Sequence, residues 1–495
     1  MTTTEAATPT VPTFADRDKV FIGGRWVEST GNEWVDVVDS FSEQRVARVR
    51  TATAEDVARA VAAARESFDK GEWASKTMEE RATVIDAIAD GLQARFEELT
   101  AIGVAEVGVP VGVSHQTQQM IGGLFRAVAE VARNVSTFEE RPRMGGGVSR
   151  IVKEPTGVVA AIIPWNGPIG NIAFKLAPAL VAGCSVVLKT APDAPLSPCV
   201  FADVVAELVE QGRIPEGVVS VLCADREVSE TLVTNPDVDH ITFTGSTAAG
   251  RRIAALASER IARVSLELGG KSAAIILDDA DLNHVLQTLP MGGCLQSGQA
   301  CIALTRILVS KKRHDEVLEA LKAAYGSLPL GNPWEPTNFL GPLATKHHQQ
   351  RVLGYIDIAK EDGAKVVLGG GVPEGLEKGF FVAPTLLDGV DPDSRIAQEE
   401  VFGPVFSLIT YEDEEDAIAI ANNSIYGLSG AVYTEDIDHG YEIARRIRTG
   451  TISVNTSAMD FSLPFGGYKQ SGIGREGGPE GLKEFFEIKT VHMPA

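Results

Sequence analysis

The chain has 495 residues, of which 44% are hydrophobic and 23% are charged, a composition typical of a globular protein with several domains. Its formal net charge of −22 would repel nucleic acid and anionic membrane surfaces, so we expect neither as a partner. The longest apolar runs, such as residues 158–163, are far shorter than the roughly 18 residues that cross a bilayer.

The N-terminal segment and the cysteines indicate a reducing compartment. Residues 1–13 are rich in Thr, Ala and Pro, lack the pattern of a secretory signal, and are expected to form a mobile tail. The five cysteines are an odd number without paired metal-ligand spacing, which favours free thiols. We therefore expect a cytoplasmic protein with no metal site, and we interpret His347–His348 as solvated polar residues.

The first third of the chain predicts short strands followed by helices. Residues 20–27 predict a strand pair that turns at Gly23–Gly24. Apolar residues at helical spacing predict three helices, over residues 56–68, 79–100 and 114–135. Residues 141–154 are basic, glycine-rich and without helical patterning, which indicates an excursion from the core.

From Gly157 the pattern changes to short β-branched strands that alternate with helices. The predicted strands cover residues 158–163, 185–189, 218–222 and 241–243, and the predicted helices cover residues 200–210 and 248–258. Strands separated by helices imply right-handed crossovers and a parallel sheet that is covered on both faces. A nucleotide site is the expected use of such a sheet.

A second alternating set follows Leu268. Its predicted strands cover residues 272–277, 307–310, 405–410, 429–433 and 451–454. A last strand over residues 485–491 is expected to pair with residues 149–153 and with another subunit. The predicted fold class is therefore α/β, with two doubly wound domains and a small β arm for oligomerisation.

Two short segments supply a carboxylate and a thiol. Glu267 begins the segment Glu-Leu-Gly-Gly-Lys, and Cys301 ends the segment Gly-Gln-Ala-Cys. A thiol attacks only as thiolate and needs an activating neighbour, while a glutamate can also activate water for a later hydrolysis. The pair predicts acyl-enzyme chemistry. Cys294 is expected on the same helix as Cys301, in a structural role.

Two glycine-containing segments are candidates for phosphate binding. Gly472–Gly477 matches Gly-x-Gly-x-x-Gly, but no strand precedes it and no βαβ unit has room after it, so we interpret it as a turn. At residues 243–247 a predicted strand ends in Gly245 and the N-capping Ser246, and the amides of such a helix start attract phosphate oxygens. The second segment is the better candidate.

Seven segments resemble, in order and spacing, the NAD(P)-dependent, hydrolytic aldehyde dehydrogenase superfamily, from about residue 20 to the C-terminus. The segments are residues 164–166, 187–189, 243–247, 267–271, 298–301, 400–404 and 464–467. The resemblance implies a Rossmann-like coenzyme-binding domain, a catalytic domain, an oligomerisation arm and a segment that returns to the interface between the two domains. The coenzyme-binding domain is expected to comprise residues 14–137 and 156–267, and the catalytic domain residues 268–460. The oligomerisation arm is expected to comprise residues 138–155 and 478–495, and the returning segment residues 461–477. A homodimer or homotetramer is implied.

The resemblance also implies catalytic roles. Cys301 matches the nucleophile that forms a thiohemiacetal with the aldehyde, and Glu267 matches the base that activates the thiol, the hydrolytic water or both. Asn166 matches an oxyanion donor that acts with the amide of Cys301, a contribution of roughly 3 to 4 kcal/mol to the barrier. Glu476 matches a position that relays protons with Lys175.

The implied coenzyme is NAD, with NADP open. The coenzyme contacts carried over by resemblance are Ile163, Pro164, Trp165, Lys189, Gly245, Ser246, Gly269, Glu400 and Phe402. NAD-preferring relatives usually have a glutamate three residues after the lysine, where this chain has Pro192 followed by Asp193. Because Asp193 keeps a negative charge in this region, NAD is favoured.

The substrate positions carried over by resemblance are Gly167, Asn171, Phe174, Ile302, Phe461 and Phe465. Gly167 stands where many relatives have an aromatic side chain, so a wider entrance is expected. No Arg or Lys occurs among them, so a substrate carboxylate would find no partner. The sequence thus predicts oxidation of a neutral, apolar aldehyde, whether aliphatic, aromatic or terpenoid, to its acid through a thioester.

Two alternatives remain open at this point. In a CoA-acylating relative the thioester passes to coenzyme A instead of water, and Glu267 argues against it because such relatives often lack this base. The other alternative is a non-catalytic binding or structural protein on the same fold. The presence of Cys301, Glu267 and Asn166 together argues against that reading.

Overall fold

The computed structural model describes residues 11–456, 460 and 462–494. The strands are β1 Val20–Ile22, β2 Arg25–Val27, β3 Trp34–Val38, β4 Arg45–Arg50, β5 Phe138–Pro142, β6 Val148–Pro155, β7 Val158–Ile162, β8 Ser185–Thr190, β9 Val219–Cys223, β10 His240–Thr244, β11 Arg263–Glu267, β12 Ser272–Ile276, β13 Leu304–Ser310, β14 Lys365–Leu368, β15 Thr385–Asp388, β16 Val405–Tyr411, β17 Gly430–Tyr433, β18 Ser453–Val454, β19 Gly472–Ile473 and β20 Phe486–His492.

The α-helices of the same residues are α1 Ala54–Lys70, α2 Met78–Ala94, α3 Phe96–Val107, α4 Val111–Asn134, α5 Pro168–Ala182, α6 Leu196–Glu210, α7 Arg226–Thr234, α8 Thr247–Ser258, α9 Leu282–Cys294, α10 His314–Gly326, α11 Lys346–Glu361, α12 Arg395–Gln398, α13 Glu414–Asn422, α14 Ile437–Ala444 and α15 Gly478–Lys483. None of the helices in the described ranges has the length and apolar character that a membrane crossing requires.

The larger sheet has the strand order β19-β11-β10-β7-β8-β9-β1-β2 within the described residues. Its five central strands, β11 to β9, run parallel, and the outer strands β19, β1 and β2 join antiparallel. Helices α2 to α6 pack on one face and helices α1, α7 and α8 on the other. Both faces are therefore covered, as the alternating pattern predicts.

The second sheet has the order β14-β15-β16-β13-β12-β17-β18 in the part of the chain that is described. All its neighbours are parallel except β14 and β15. Helices α9 and α10 cover one face, and α11 to α14 cover the other. The predicted α/β fold class with two doubly wound sheets is confirmed.

A third, three-stranded sheet of order β20-β6-β5 forms an exposed arm. The C-terminal strand pairs antiparallel with β6, from Phe486 opposite Pro155 to His492 opposite Ser149, which confirms the predicted pairing. The excursion predicted at residues 141–154 is largely made of these arm strands. The division of the chain into domains and the oligomeric state stay predictions.

Some local predictions are wrong. The single helix predicted over residues 79–100 is two, because Arg95 leaves the helical region at φ −107° and ψ 20°, where its side chain pairs with Glu207. Residues 472–477 are not a plain turn, because Gly472 and Ile473 form β19, which pairs with β11. A Cβ on Gly472 would lie 2.2 Å from the carbonyl oxygen of Leu266, so this close pairing requires glycine. Residues 1–10 of the predicted tail lie outside the described residues, and Val11 packs against the core.

Candidate active site

The predicted site residues stand at facing edges of the two sheets. Asn166 follows β7 and Ser246 follows β10, while Glu267 is the last residue of β11, so all three lie at the carboxyl edge of the larger sheet. Cys301 precedes β13 of the second sheet. Residues from the ends of separate strands thus meet in one region, which is the usual location of a site in doubly wound sheets.

The loop over residues 295–301, which ends at Cys301, is held by its own polar side chains. Ser297 Oγ donates to the Gly341 carbonyl at 2.9 Å, and Gln299 Oε1 accepts from the Ala344 amide at 2.9 Å. A Cβ on Gly270 would lie 2.3 Å from the Cys301 carbonyl oxygen, so only glycine permits this close approach. The expectation that Cys294 shares a helix with Cys301 is wrong, because α9 ends at Cys294 and the following residues turn away.

Asn166, Glu267 and Cys301 line one cavity of about 260 Å³, here called the tunnel. The Asn166 side-chain Nδ2 donates to the Gln299 carbonyl at 2.9 Å, which fixes the amide beside the cysteine loop. An amide nitrogen has two hydrogens, so one remains available to a second acceptor. The three groups that the sequence separates by up to 135 positions therefore share a single space.

The surroundings of the thiol and of the carboxyl group both disfavour the charged form. Burial raises the pKa of the Cys301 thiol, and the nearby carboxylates of Glu400 and Glu267 raise it further. Burial also raises the pKa of Glu267 well above its usual value, and Glu476 adds to this effect. The Glu267 Oε2 atom is buried and has no hydrogen-bond partner among the described residues. Attack therefore requires a proton to leave the thiol.

Lys175 and Glu476 form a buried ion pair beside Glu267. Lys175 is fully buried and also donates to the Thr242 hydroxyl at 3.4 Å. The backbone of Glu476 exchanges two hydrogen bonds of 2.7 Å with that of Phe465, which places its side chain at the tunnel. The structure thus brings together the two residues that the sequence assigns to a relay.

The tunnel wall combines predicted and unexpected residues. Five predicted substrate residues line it: Gly167, Asn171, Phe174, Ile302 and Phe465. Phe461 lies outside the described residues. Helices α3 and α4 supply wall residues that sequence reasoning missed, among them Leu99, Gly103, Glu106, Gln118, Ile121 and Leu124. No Lys or Arg occurs among the described residues of the wall, which is mostly apolar.

A second cavity of about 280 Å³ meets the tunnel at Asn166 and Cys301, and we call it the coenzyme cleft. Predicted coenzyme residues that line it are Pro164, Trp165, Gly245, Ser246, Gly269, Glu400 and Phe402. Ile163 and Lys189 do not line it: Ile163 is buried, and its amide donates to the Lys189 carbonyl at 3.0 Å. Ser246 accepts from the Ala249 amide and caps α8, as predicted.

The loop of Glu400 and Phe402 is held by two residues that sequence reasoning did not select. His348 Nε2 pairs with the Phe402 carbonyl at 2.7 Å, and the Arg351 guanidinium donates at 2.6 Å to the carbonyls of Val401 and Glu400. These contacts hold Phe402 at φ +69°, a strained conformation for a non-glycine residue. The interpretation of His348 as a solvated residue is wrong, because its ring is buried against Trp165.

Glu400 also faces the cleft through its carboxyl group. Its Oε1 accepts from the Gly270 amide at 2.8 Å, and a Cβ on Gly269 would approach Oε2 to 2.5 Å. Burial raises the pKa of Glu400 to about 7, against the opposing effects of the Gly270 amide and Arg351. Groups of three or more His, Cys, Asp or Glu side chains suited to a metal ion are absent from the described residues.

Comparison with known proteins gives the family. The model of the aldehyde dehydrogenase family matches residues 26–491. The geranial dehydrogenase of Castellaniella defragrans is 40% identical over 479 residues, which cover 97% of this chain and 99% of that protein. An aldehyde dehydrogenase of Mycobacterium tuberculosis, solved in complex with NAD+, is 44% identical with a TM-score of 0.94 over 98% of this chain and 99% of that chain.

Aldehyde dehydrogenase C of Pseudomonas syringae gives a similar result. A mutant of that enzyme, solved with NAD+ and octanal, is 35% identical with a TM-score of 0.92 and covers 99% of both chains. The matches extend over nearly the whole chain and include the segments that carry the predicted thiol, base and amide. This protein therefore belongs to the aldehyde dehydrogenase family.

Proposed function

We propose that this aldehyde dehydrogenase oxidises a neutral, apolar aldehyde to its carboxylic acid with NAD+. The observation that carries the proposal is the shared tunnel, in which a thiol, a carboxyl group and a side-chain amide converge next to the coenzyme cleft. Each of the three groups has a role in acyl-enzyme chemistry.

Cys301 is the proposed nucleophile. Its sulfur attacks the aldehyde carbon to give a thiohemiacetal, and Glu267 accepts the thiol proton. The second amide hydrogen of Asn166 is available to the oxyanion that appears as the carbon becomes tetrahedral. The oxidised substrate remains on Cys301 as a thioester, and Glu267 takes the proton of the water that hydrolyses it. A raised pKa suits Glu267 to this work, because it makes the carboxylate a stronger base than an ordinary glutamate.

The residues of the cleft fit a dinucleotide. The N-terminus of α8, which Ser246 caps, offers backbone amides to a pyrophosphate, and the absence of a side chain on Gly269 lets the Glu400 carboxyl group approach the cleft. Trp165 and Phe402 contribute apolar ring surfaces to the same cavity. NAD+, when bound, supplies the acceptor for the hydride that leaves the aldehyde carbon.

The charges near Lys189 support NAD+ over NADP+. Burial lowers the pKa of Lys189, while the nearby Cys223, Asp193 and Asp225 raise it, so at least two carboxylates act on this lysine. A 2′-phosphate on the adenosine ribose would be repelled by these carboxylates. No glutamate stands at residue 192, so Asp193 and Asp225 are the groups that we propose for this discrimination.

The tunnel supports an apolar, uncharged substrate. Its wall is mostly hydrocarbon, and the described wall residues include carboxyl groups such as Glu106 but no cation, so an anionic aldehyde would be buried without a partner. The relatives whose names mention geranial and octanal act on or bind apolar aldehydes, which agrees with this preference.

A panel of aldehydes tests the proposal. Octanal, geranial, benzaldehyde, an anionic semialdehyde and betaine aldehyde are incubated with each coenzyme, and both NADH and acid are measured without coenzyme A. We expect NADH and acid in equal amounts from the neutral aldehydes with NAD+. NADH and acyl-CoA that form only when coenzyme A is added would instead identify a CoA-acylating enzyme.

Substitution of the thiol tests the mechanism. C301A should bind NAD+ with wild-type affinity yet form no NADH, because no thiohemiacetal can form. The matched control is C294A, which removes a fully buried thiol at the end of α9 and should retain turnover. NADH formation by C301A at a rate comparable with that of C294A would remove Cys301 from its role.

A further inference from the structure

The part of the tunnel wall that α4 contributes changes from polar to apolar along the helix. Ser114, Thr117 and Gln118 line the tunnel within about the first two turns of α4. Ile121 and Leu124 line it further along the same helix. A substrate in the tunnel therefore meets polar groups on α4 as well as hydrocarbon.

Helix α3 reaches the same polar groups through a glycine. Gly103 lines the tunnel, and a Cβ on it would lie 2.9 Å from Ser114 Oγ and 3.9 Å from Gln118 Nε2. The absence of a side chain thus lets both polar side chains approach the backbone of α3. We call Gly103, Ser114 and Gln118 together the polar corner.

The polar corner accepts hydrogen bonds. Ser114 Oγ donates its single hydrogen to the Thr100 carbonyl at 3.0 Å, so only its acceptor capacity remains. Gln118 Oε1 is buried and has no hydrogen-bond partner among the described residues. A buried acceptor without a donor is costly, so a donating group would complete the corner.

The start of α5 leaves space at the reactive end of the same tunnel. A Cβ on Gly170 would meet no atom within 4 Å, and a Cβ on Gly167 would meet only Asn171 Nδ2, at 3.9 Å. Both glycines line the tunnel, and Gly167 directly follows Asn166. The tunnel therefore has room for the chain of a substrate whose aldehyde carbon lies at Cys301.

We propose that the preferred substrate is an aldehyde with a distal hydroxyl group, which donates a hydrogen bond to Gln118 Oε1 while the aldehyde carbon lies at Cys301. The inference rests on the proposed function, and it narrows the substrate class to hydroxyaldehydes with an apolar chain. A hydroxyl group supplies the hydrogen that the corner lacks and stays neutral in a mostly apolar wall.

The unpartnered acceptor makes the corner selective for such a group. An alkyl chain that fills the tunnel excludes water and leaves Gln118 Oε1 unpaired. A hydroxyl group at the same place forms the missing bond. Because a buried polar group is destabilised when its partner is absent, the site discriminates against the analogue that lacks the hydroxyl.

A cationic donor fits the corner less well than a hydroxyl group. Glu106 lies three positions after Gly103 on α3, lines the tunnel, and accepts from the Leu196 amide at 2.7 Å. Burial raises the pKa of Glu106 to about 8, which favours its neutral form at neutral pH. An ammonium group would lose its hydration and gain little compensating charge there.

Matched aldehydes test the proposal. Aldehydes with a terminal hydroxyl group and chains of six to ten carbons are compared with alkanals in which a methyl group replaces the hydroxyl, and NADH formation is followed with NAD+. We expect kcat/KM of the hydroxyaldehyde to exceed that of its alkanal about tenfold at one chain length, which places the hydroxyl at Gln118. A methyl ether of equal length accepts but does not donate, so it should show no advantage.

Substitutions of Gln118 assign the effect to this residue. Q118L removes the acceptor and should lower the ratio of the two kcat/KM values to about one, whereas Q118E keeps an acceptor and should retain the preference. The ratio compares two substrates on the same protein, so a loss of folded protein cancels. The matched control is Q119L, which makes the same change at an exposed residue of α4 that does not line the tunnel, and it should keep the wild-type ratio.

The outcomes separate the subsite from the function. If the wild type oxidises both series with a ratio near one at every chain length, the hydroxyl subsite is wrong and the proposed function stands. A preference that survives in Q118L, that is lost equally in Q119L, or that the methyl ethers share would also overturn the subsite. If the wild type forms no NADH from either series, the proposed function fails, and the subsite fails with it.

Discussion

Gly170 sets the width of the tunnel next to Asn166. It is the third residue of α5, it lines the tunnel, and a Cβ placed on it would meet no atom within 4 Å. The Cβ of a leucine at this position therefore displaces no protein atom, and we expect the rest of the G170L side chain to occupy tunnel space. One methylene in an apolar pocket changes the discrimination by about 1–3 kcal/mol, so we expect kcat/KM for geranial to fall about 10- to 200-fold. We expect kcat/KM for propanal to stay unchanged, because this smaller aldehyde does not need the space.

The control for this substitution is G123L on α4. Gly123 is also helical, and a Cβ on it would likewise meet no atom within 4 Å, but it is exposed and does not line the tunnel. Each substitution should stabilise its helix by about 1 kcal/mol, so the thermal midpoint of both variants should equal or exceed that of the wild type. Equal losses for geranial and propanal in G170L, or a loss in G123L, would refute the assignment of Gly170 to the tunnel.

Three further substitutions test the site and the fold. N166A should lower kcat by about 10²–10³ through loss of the oxyanion donor, with NADH affinity unchanged in a fluorescence titration; an unchanged kcat would contradict that role. D193N should raise kcat/KM for NADP+ relative to NAD+, because a carboxylate near Lys189 is lost; a constant ratio would exclude Asp193. Burial raises the pKa of Glu106 from 4.5 to about 8, so the folded state binds this proton more tightly and stability should fall by about 1.4 kcal/mol per pH unit between these values. E106Q should flatten that decline in urea unfolding at pH 5 to 8, and an equally steep decline would show that other groups cause it.

The chemical groups of the site were predictable because each stands in a short, distinctive segment. Asn166 follows a strand that was predicted, whereas Glu267 ends β11, which was not predicted, and was found from the segment Glu-Leu-Gly-Gly-Lys alone. Cys301 was found from its segment, although its expected helix is absent, since Gln296 and Ser297 adopt positive φ values that no residue pattern indicates. The chemistry of a side chain is thus easier to read from sequence than the backbone that holds it.

The tunnel wall was only partly predictable. Ile121 and Leu124 of α4 are three positions apart, a spacing that is typical of any helix that packs against a core. The sequence does not distinguish a helix face that packs on protein from one that borders a cavity, because both are apolar. The contacts of His348 and Arg351 were not predicted for a related reason. Their partners are backbone carbonyls of the Glu400 loop, and backbone partners leave no pattern in the sequence.

Strand β11 was not predicted, because polar residues interrupt its apolar ones. Its residues alternate between polar and apolar, with Arg263, Ser265 and Glu267 on one face, so no continuous apolar run marks this strand. The polar face is nevertheless mostly buried, because α5 and the residues around Glu484 cover it. A buried polar face costs stability unless it is hydrogen-bonded, and Ser265 meets this requirement through its bonds with His240 and Glu484.

Burial of the site opposes the charged states that the proposed chemistry requires of its thiol and its carboxyl group. Burial raises the pKa of both the Cys301 thiol and the Glu267 carboxyl group and so favours their protonated forms. A base that already carries a proton must lose it before it can accept another, and the adjacent Lys175–Glu476 pair is the enclosed group that can take it. The same burial that strengthens the interactions of the site with a developing oxyanion therefore isolates its base from water.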